Sequence, residues 1–153
     1  MSLEEKLKVK KFASDWHKAT LNIVYTSNWL IVELEKRANK RDITMQQFNV
    51  LRILRGQFPK PATNNLLKDR LITATPDISR LVDRIVAKEL VSRCKNDTDK
   101  RAVDLLITER GLKLLAEIEE EMMLSDLLPI NITEEECQQL SRLLEKFRGE
   151  SEV

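Results

Sequence analysis

Residues 75–88 read TPDISRLVDRIVAK, and the spacing within them decides the fold. Ile78, Leu81, Val82, Ile85 and Val86 fall at i, i+3, i+4, i+7 and i+8, which is one apolar face of an α-helix. Thr75 is placed to cap the free N–H groups. Pro76 suits a first helical position, and Asp77 complements the positive end of the dipole. The opposite face carries Asp77, Ser79, Arg80, Asp83, Arg84 and Lys88. A charged face is most often only a solvated surface. Here a short helix precedes it and a basic hairpin follows it, and two short helices joined by about four residues have the dimensions of a helix-turn-helix.

Upstream, Thr44 and Gln47 form a T-x-x-Q capping box. The helix they open runs through Phe48, Val50, Leu51 and Leu54 to about Gly56, and Phe58-Pro59-Lys60-Pro61 breaks it. Thr63 caps a short helix from Asn64 to Leu71, and Ile72-Thr73-Ala74 turns the chain into the Thr75 helix. Downstream, Leu90–Cys94 and Ala102–Ile107 read as strands, with Val103, Leu105 and Ile107 alternating as a half-buried strand requires. Lys95 to Arg101 between them is a polar turn rich in Asn and Asp. The pair is a β-hairpin, a wing.

Residues 4–40 read as helix with one break. Phe12, Trp16, Ala19, Ile23, Val24, Ser27, Ile31 and Leu34 follow helical spacing, and Trp29, Leu30 and Val32 add apolar surface on other faces. Such a helix needs cover on more than one side, from a partner subunit or from an intrachain core. Thr108 to Gly111 begins an acidic helix through about Asp126, and Pro129 interrupts. Thr133 and Glu136 form a second capping box, and Cys137, Leu140, Leu144 and Phe147 make one stripe of the last helix.

The 153 residues suffice for one sizeable core. With 42% hydrophobic and 33% charged residues, and only 3 Gly and 4 Pro, the chain is helix-rich rather than a turn-dense β-sandwich. No run approaches the ~20 apolar residues of a membrane span. The charged start MSLEEKLKVKK is no secretory signal. Cys94 and Cys137 make no disulfide framework and fit a reducing cytoplasm. The net charge of +1 conceals a division: residues 1–108 hold 21 Lys and Arg against 13 Asp and Glu (+8), and residues 109–153 hold 5 against 12 (−7). A basic end can bind polyanions, because the local field matters within a Debye length of ~8 Å.

Ile43-Thr44-Met45-Gln46-Gln47-Phe48, then Ser79-Arg80-Leu81-Val82-Asp83-Arg84-Ile85 with Lys88-Glu89-Leu90-Val91-Ser92-Arg93, then Asp99-Lys100-Arg101 followed by Ile107-Thr108 and Gly111, resemble the MarR family of bacterial transcription regulators. The likeness covers nearly the whole chain, and its specific part runs from Ile43 to Gly111. Glu89 departs from the pattern, standing where the family usually has Gly. If that position needs a left-handed backbone, Glu there costs about 1 kcal/mol. Asp97 and Asp99 dilute the basic tip of Lys95, Lys100 and Arg101.

The resemblance implies a mostly α fold with a small β-wing. A winged helix-turn-helix at 43–108 would be flanked by a helical dimerisation region at 1–42 and 109–153. It implies a homodimer whose two recognition helices enter successive major grooves of double-stranded DNA at a near-palindromic operator. Ser79, Arg80 and Arg84 are then the expected base or phosphate contacts, with Arg matching guanine O6 and N7; the sequence does not say which Arg does which. Asn64, Asn65, Lys68 and Thr75 suit phosphate. Arg93, Lys95, Asp99, Lys100 and Arg101 belong to the wing, with Asp99 orienting Arg101 at the minor groove by a paired hydrogen bond. The likeness also implies a ligand-responsive repressor with a small aromatic or anionic effector, for which Trp16, His17, Tyr25, Trp29, Phe48 and Arg52 are expected lining residues; core or interface is the plainer role for most of them.

A single His gives no metal cluster, and no cofactor is expected. Thiol sensing in peroxide-responsive relatives uses a Cys near the N-terminus, which this chain lacks. Cys94 and Cys137 read as buried fillers, with Cys94 between Arg93 and Lys95 the one placed for reactivity. An enzyme is disfavoured: there is no Gly-rich phosphate loop, no Ser/His/Asp set and no metal-ligand spacing. The other reading is a winged-helix protein-interaction module or antirepressor without DNA binding, which need not keep the basic Arg80, Arg84 and Arg101.

Overall fold

The computed structural model describes residues 1–150. The chain runs α1 (Leu3–Leu7), α2 (Asp15–Asn39), α3 (Met45–Gln57), α4 (Asn64–Arg70), α5 (Ile78–Ala87), β1 (Val91–Lys95), β2 (Val103–Ile107), α6 (Glu109–Met122), α7 (Leu128–Asn131) and α8 (Glu134–Phe147). It is a mostly helical fold with a two-stranded antiparallel wing, as expected. Among the described residues, no helix is long and apolar enough to cross a membrane.

Side-chain caps fix most of the helix starts. Thr44 accepts from Gln47 N–H at 3.1 Å while the Gln47 side chain accepts from Thr44 N–H at 3.1 Å, and Thr133 and Glu136 repeat the device. Thr63 accepts from Leu66 N–H, and Thr108 from Gly111 N–H. The single break expected in residues 4–40 falls between α1 and α2, where Lys8 turns left-handed and Ser14 restarts the helix by accepting from His17 N–H at 3.2 Å.

Two boundaries differ from the sequence reading by more than one residue. The cap of α5 is Asp77, not Thr75: Asp77 Oδ1 accepts from Arg80 N–H at 3.0 Å, and Thr75 and Pro76 stay in the loop. Asp outranks Thr as a cap, and a residue before Pro is pushed toward extended backbone. Helix α6 ends at Met122 rather than near Asp126, because Leu124 adopts φ 56° and closes the helix with Leu124 N–H on Glu121 and Ser125 N–H on Glu120. Pro129 then sits inside the first turn of α7, where its missing donor costs nothing.

One core lies under the winged part. Ile43, Leu51, Leu54, Leu67, Ile85, Leu105, Leu115 and Ile118 are almost wholly enclosed there. Each such side chain contributes about 1.5–3 kcal/mol relative to exposure. The β1–β2 register pairs Val91 with Ile107 and Lys95 with Val103. Ala62 adds a third rung, exchanging both backbone hydrogen bonds with Leu105 at 2.8 and 2.9 Å, so the segment before α4 is bound to the wing. Among the described residues, nothing covers the wing's far side. Cys94, read as a buried filler, is exposed for that reason, and Cys137 is half-buried.

Helix α5 ends with Leu90 N–H on Ile85 O and Glu89 N–H on Val86 O, with Glu89 at φ 59°. This is the left-handed closing residue that glycine suits. Glu89 also pairs with Arg110 at 2.8 Å, but both side chains are exposed, and such a pair contributes ~0–1 kcal/mol. Comparing Glu89→Gly with Glu89→Ala isolates the backbone. The Gly variant is expected to be more stable by about 1 kcal/mol in urea unfolding. Equal midpoints would mean the left-handed backbone carries no strain.

Ion pairs bind α6 and the segment just after it to their neighbours. Arg55 on α3 holds Glu119 at 2.5 and 3.0 Å, and Arg37 at the end of α2 holds Asp126 at 2.6 and 3.0 Å. Arg37 is buried and also donates to Glu33 and to the Glu121 carbonyl. Hydrogen bonding from Arg55 lowers the Glu119 pKa below its ordinary value, and hydrogen bonding from Arg37 does the same for Asp126. A carboxylate with a depressed folded pKa stabilises the fold above its unfolded pKa, and the contribution disappears as pH falls through the folded value. Wild type should therefore exceed Glu119→Gln in urea midpoint at pH 7, and the gap should narrow progressively as pH falls below the ordinary carboxylate range. A gap that does not narrow on acidification would assign the effect to packing instead.

Candidate nucleic-acid interface

The apolar face of α5 is buried through Ile78, Leu81, Val82 and Ile85, so its polar face points outward by construction. Ser79, Arg80 and Arg84 are all exposed on it. Arg80 has one ion partner among the described residues, Asp77 in its own first turn, with Nε 3.2 Å from Oδ2. Arg84 has none among them and stands one turn further on.

Helix α4 brings its first turn against the turn end of the wing. Thr63, Asn64, Asn65, Asp99, Arg101 and Val103 line a cleft of about 230 Å³ there. Four of the expected phosphate and wing residues, Asn64, Asn65, Asp99 and Arg101, are thus gathered in one place. Asn64 Oδ1 is buried without a hydrogen-bond partner, and so is Thr75 Oγ1 in the loop before α5. Lys68 is exposed on the last turn of α4.

Side chains organise the wing turn. Asn96 Oδ1 accepts from Thr98 N–H at 3.0 Å, Thr98 Oγ1 at 2.8 Å and Asp99 N–H at 2.7 Å. Asn96 Nδ2 donates to Asp104 at 2.8 Å. Asp99 does not grip the guanidinium of Arg101, as the sequence reading expected. Its Oδ1 accepts from the Arg101 backbone N–H at 2.9 Å, because two residues is the natural reach of an Asx turn. Lys95, Lys100 and the Arg101 side chain remain exposed. The Arg93 guanidinium, expected among the wing contacts, bonds Asp83 and ties the wing to α5.

The residues expected around an effector are not drawn together within one chain. Trp16 is 82% exposed, and Trp29, thirteen residues along the unbroken α2, lies about 20 Å away. His17 packs edge-on against Phe12 at 5.8 Å, and Lys6 sits 5.4 Å above the Tyr25 ring. Phe48 belongs to the core, with the Arg52 guanidinium 5.9 Å from its ring. Arg52 does open onto a cleft of about 340 Å³, lined also by Asn49, Ile53, Arg70 and Ile72. Arg70 was missed because no local pattern joins it to Arg52. Among the described residues, no group of three His, Cys, Asp or Glu is placed to hold a metal.

Comparison with known proteins sets this geometry beside that of DNA-binding regulators. Residues 43–103 match the model of the MarR family. The HTH-type transcriptional regulator MhqR of Bacillus subtilis is 26% identical over 74% of this chain and 77% of its own length. The crystal structure of a MarR transcription factor from Planctomyces limnophilus is 32% identical, superposes with a TM-score of 0.65 and covers 88% of this chain and 98% of that one. A mutant E. coli MarR complexed with operator DNA is 26% identical, with a TM-score of 0.73 and coverage of 96% and 99%.

Proposed function

Because the chain belongs to the MarR family of transcription regulators, we propose that it binds double-stranded DNA sequence-specifically as a homodimer and represses transcription from a near-palindromic operator. The observation that carries this reading is the polar face of α5. It presents Ser79, Arg80 and Arg84 outward, while the opposite face is sealed in the core. The matching E. coli regulator bound to operator DNA supports duplex DNA as the partner.

The uncovered apolar surface of the flanking helices supports the dimer. Trp16, Trp29 and Val32 on α2 and Leu140, Leu143 and Phe147 on α8 are exposed in the single chain, and α8 buries no residue at all. A scattered exposed Leu is ordinary, but this many large apolar side chains exposed on two helices are not. Residues 1–42 and 109–153 are therefore the dimerisation region, and 43–108 is the DNA-binding unit. Two α5 helices on one side of such a dimer reach successive major grooves about one helical turn apart. The two cations Arg52 and Arg70 lining one cleft support a small anionic effector there. Two free cysteines suit the reducing cytoplasm.

The test is selection of bound duplexes from a random pool with the full chain. The reading expects enrichment of an inverted repeat with half-sites about one turn apart. A pool that stays random after repeated rounds would refute it.

A further inference from the structure

Asp77 has two functions in one carboxylate. Its Oδ1 caps α5 through Arg80 N–H at 3.0 Å, and its Oδ2 lies 3.2 Å from Arg80 Nε. The backbone and the side chain of one arginine are thus both referred to the same rigid group at the head of the helix. The cap alone explains an Asp, Asn or Ser at this position. It does not explain the second contact, which is a surface pair with side chains 79% and 51% exposed and so of little consequence for stability. Its consequence is orientation.

A guanidinium has five donors in a fixed fork. Nε is the guanidinium nitrogen that lies against Asp77, at ion-pair distance, so the edge carrying Nη1 and Nη2 is the one left to face outward. Those two parallel donors match O6 and N7 of guanine. The carboxylate also offsets part of the positive field around Arg80, which makes Arg80 a weaker phosphate ligand than an arginine without an acidic neighbour. Arg84, one turn on along the same face, has no such partner among the described residues and keeps its full charge for the backbone. The two arginines that the sequence left equivalent are therefore made different by one acid.

We propose that Asp77 is the positioning residue for base selection, holding Arg80 to read a guanine in each half-site while Arg84 serves phosphate. This rests on the DNA-binding reading above. An Asp at a DNA surface lowers affinity for every sequence, since it repels phosphate, so its presence there exchanges general affinity for discrimination.

The test uses the full chain and its selected duplex, with each guanine replaced singly by 7-deazaguanine, which lacks the N7 acceptor. Wild type should lose about tenfold in affinity at one guanine per half-site. Asp77→Asn and Asp77→Ser both keep a capping side chain, so both should fold. Each should reduce that penalty to within about twofold and bind scrambled duplex more tightly, and the slope of log K against log salt should steepen by about one per half-site as Arg80 turns to phosphate. Arg80→Ala should remove the penalty, and adding Asp77→Asn to it should change discrimination no further. Arg84→Ala should weaken all duplexes alike and leave the penalty in place. If both Asp77 variants retain the full penalty, or if it disappears with Arg84→Ala instead, the proposal is wrong. If wild type itself binds selected and scrambled duplexes equally, the DNA-reading function has failed first, and this inference falls with it.

Discussion

Gly111→Ala is expected to lose about 2–3 kcal/mol of stability, although alanine is the better helix former by about 1 kcal/mol. A Cβ at residue 111 would lie 2.4 Å from the Leu90 carbonyl oxygen and 2.8 Å from Ile107 Cγ1. The first of these is backbone and cannot swing away. The Leu90 carbonyl already accepts from Thr108 N–H at 3.1 Å, and Thr108 Oγ1 donates to the Glu89 carbonyl at 2.8 Å. Three elements meet there: the end of α5, the return of β2 and the first turn of α6. The approach is close because α6 must start directly over the strand pair, and only a residue without a side chain permits it. Urea unfolding at constant slope measures the loss. If Gly111→Ala proved as stable as wild type or more so, helix propensity would be governing the position and the close packing would be absent.

Arg101→Ala should weaken operator binding by about tenfold or more, a loss of the size usual for one well-placed DNA contact, and leave the fold unchanged. The fold is spared because the wing turn is held by Asn96 and Asp99 through backbone donors, and the Arg101 guanidinium enters no ion pair among the described residues. Binding depends on it because the side chain stands at the cleft shared with Asn64 and Asn65, where the head of α4 meets the wing. Loss of one phosphate-neutralising cation from each protomer also flattens the salt dependence, by a slope of about one per half-site. Affinity and slope both unchanged would remove the wing from DNA recognition.

Much of this was legible in the sequence because it is local. The T-x-x-Q and T-x-x-E boxes each name their own partners three residues away, and the apolar spacing of residues 78–85 fixes which side of α5 is buried. What escaped depends on distance or on competition. Asp77 took the cap from Thr75 because two acceptable caps stood two residues apart and only the three-dimensional path chooses. The Arg93–Asp83 contact joins strand to helix and has no signature of its own. Cys94 was misread because alternation in a two-stranded wing does not say whether the outer face is covered. The aromatics of α2 were grouped by chemistry, but a straight helix keeps Trp16 and Trp29 apart. The Glu89 position went the other way: a departure from the glycine pattern flagged a left-handed residue, and the backbone there is left-handed.

The most direct test of paired, DNA-reading helices is competition binding of the full chain to its selected inverted repeat against a scrambled duplex, followed across about 50–200 mM salt. Two chains should bind each repeat, affinity should fall steeply with salt for both duplexes, and the repeat should stay about a thousandfold or more ahead at physiological salt. One chain per duplex, or equal affinity for the two sequences, would contradict the account.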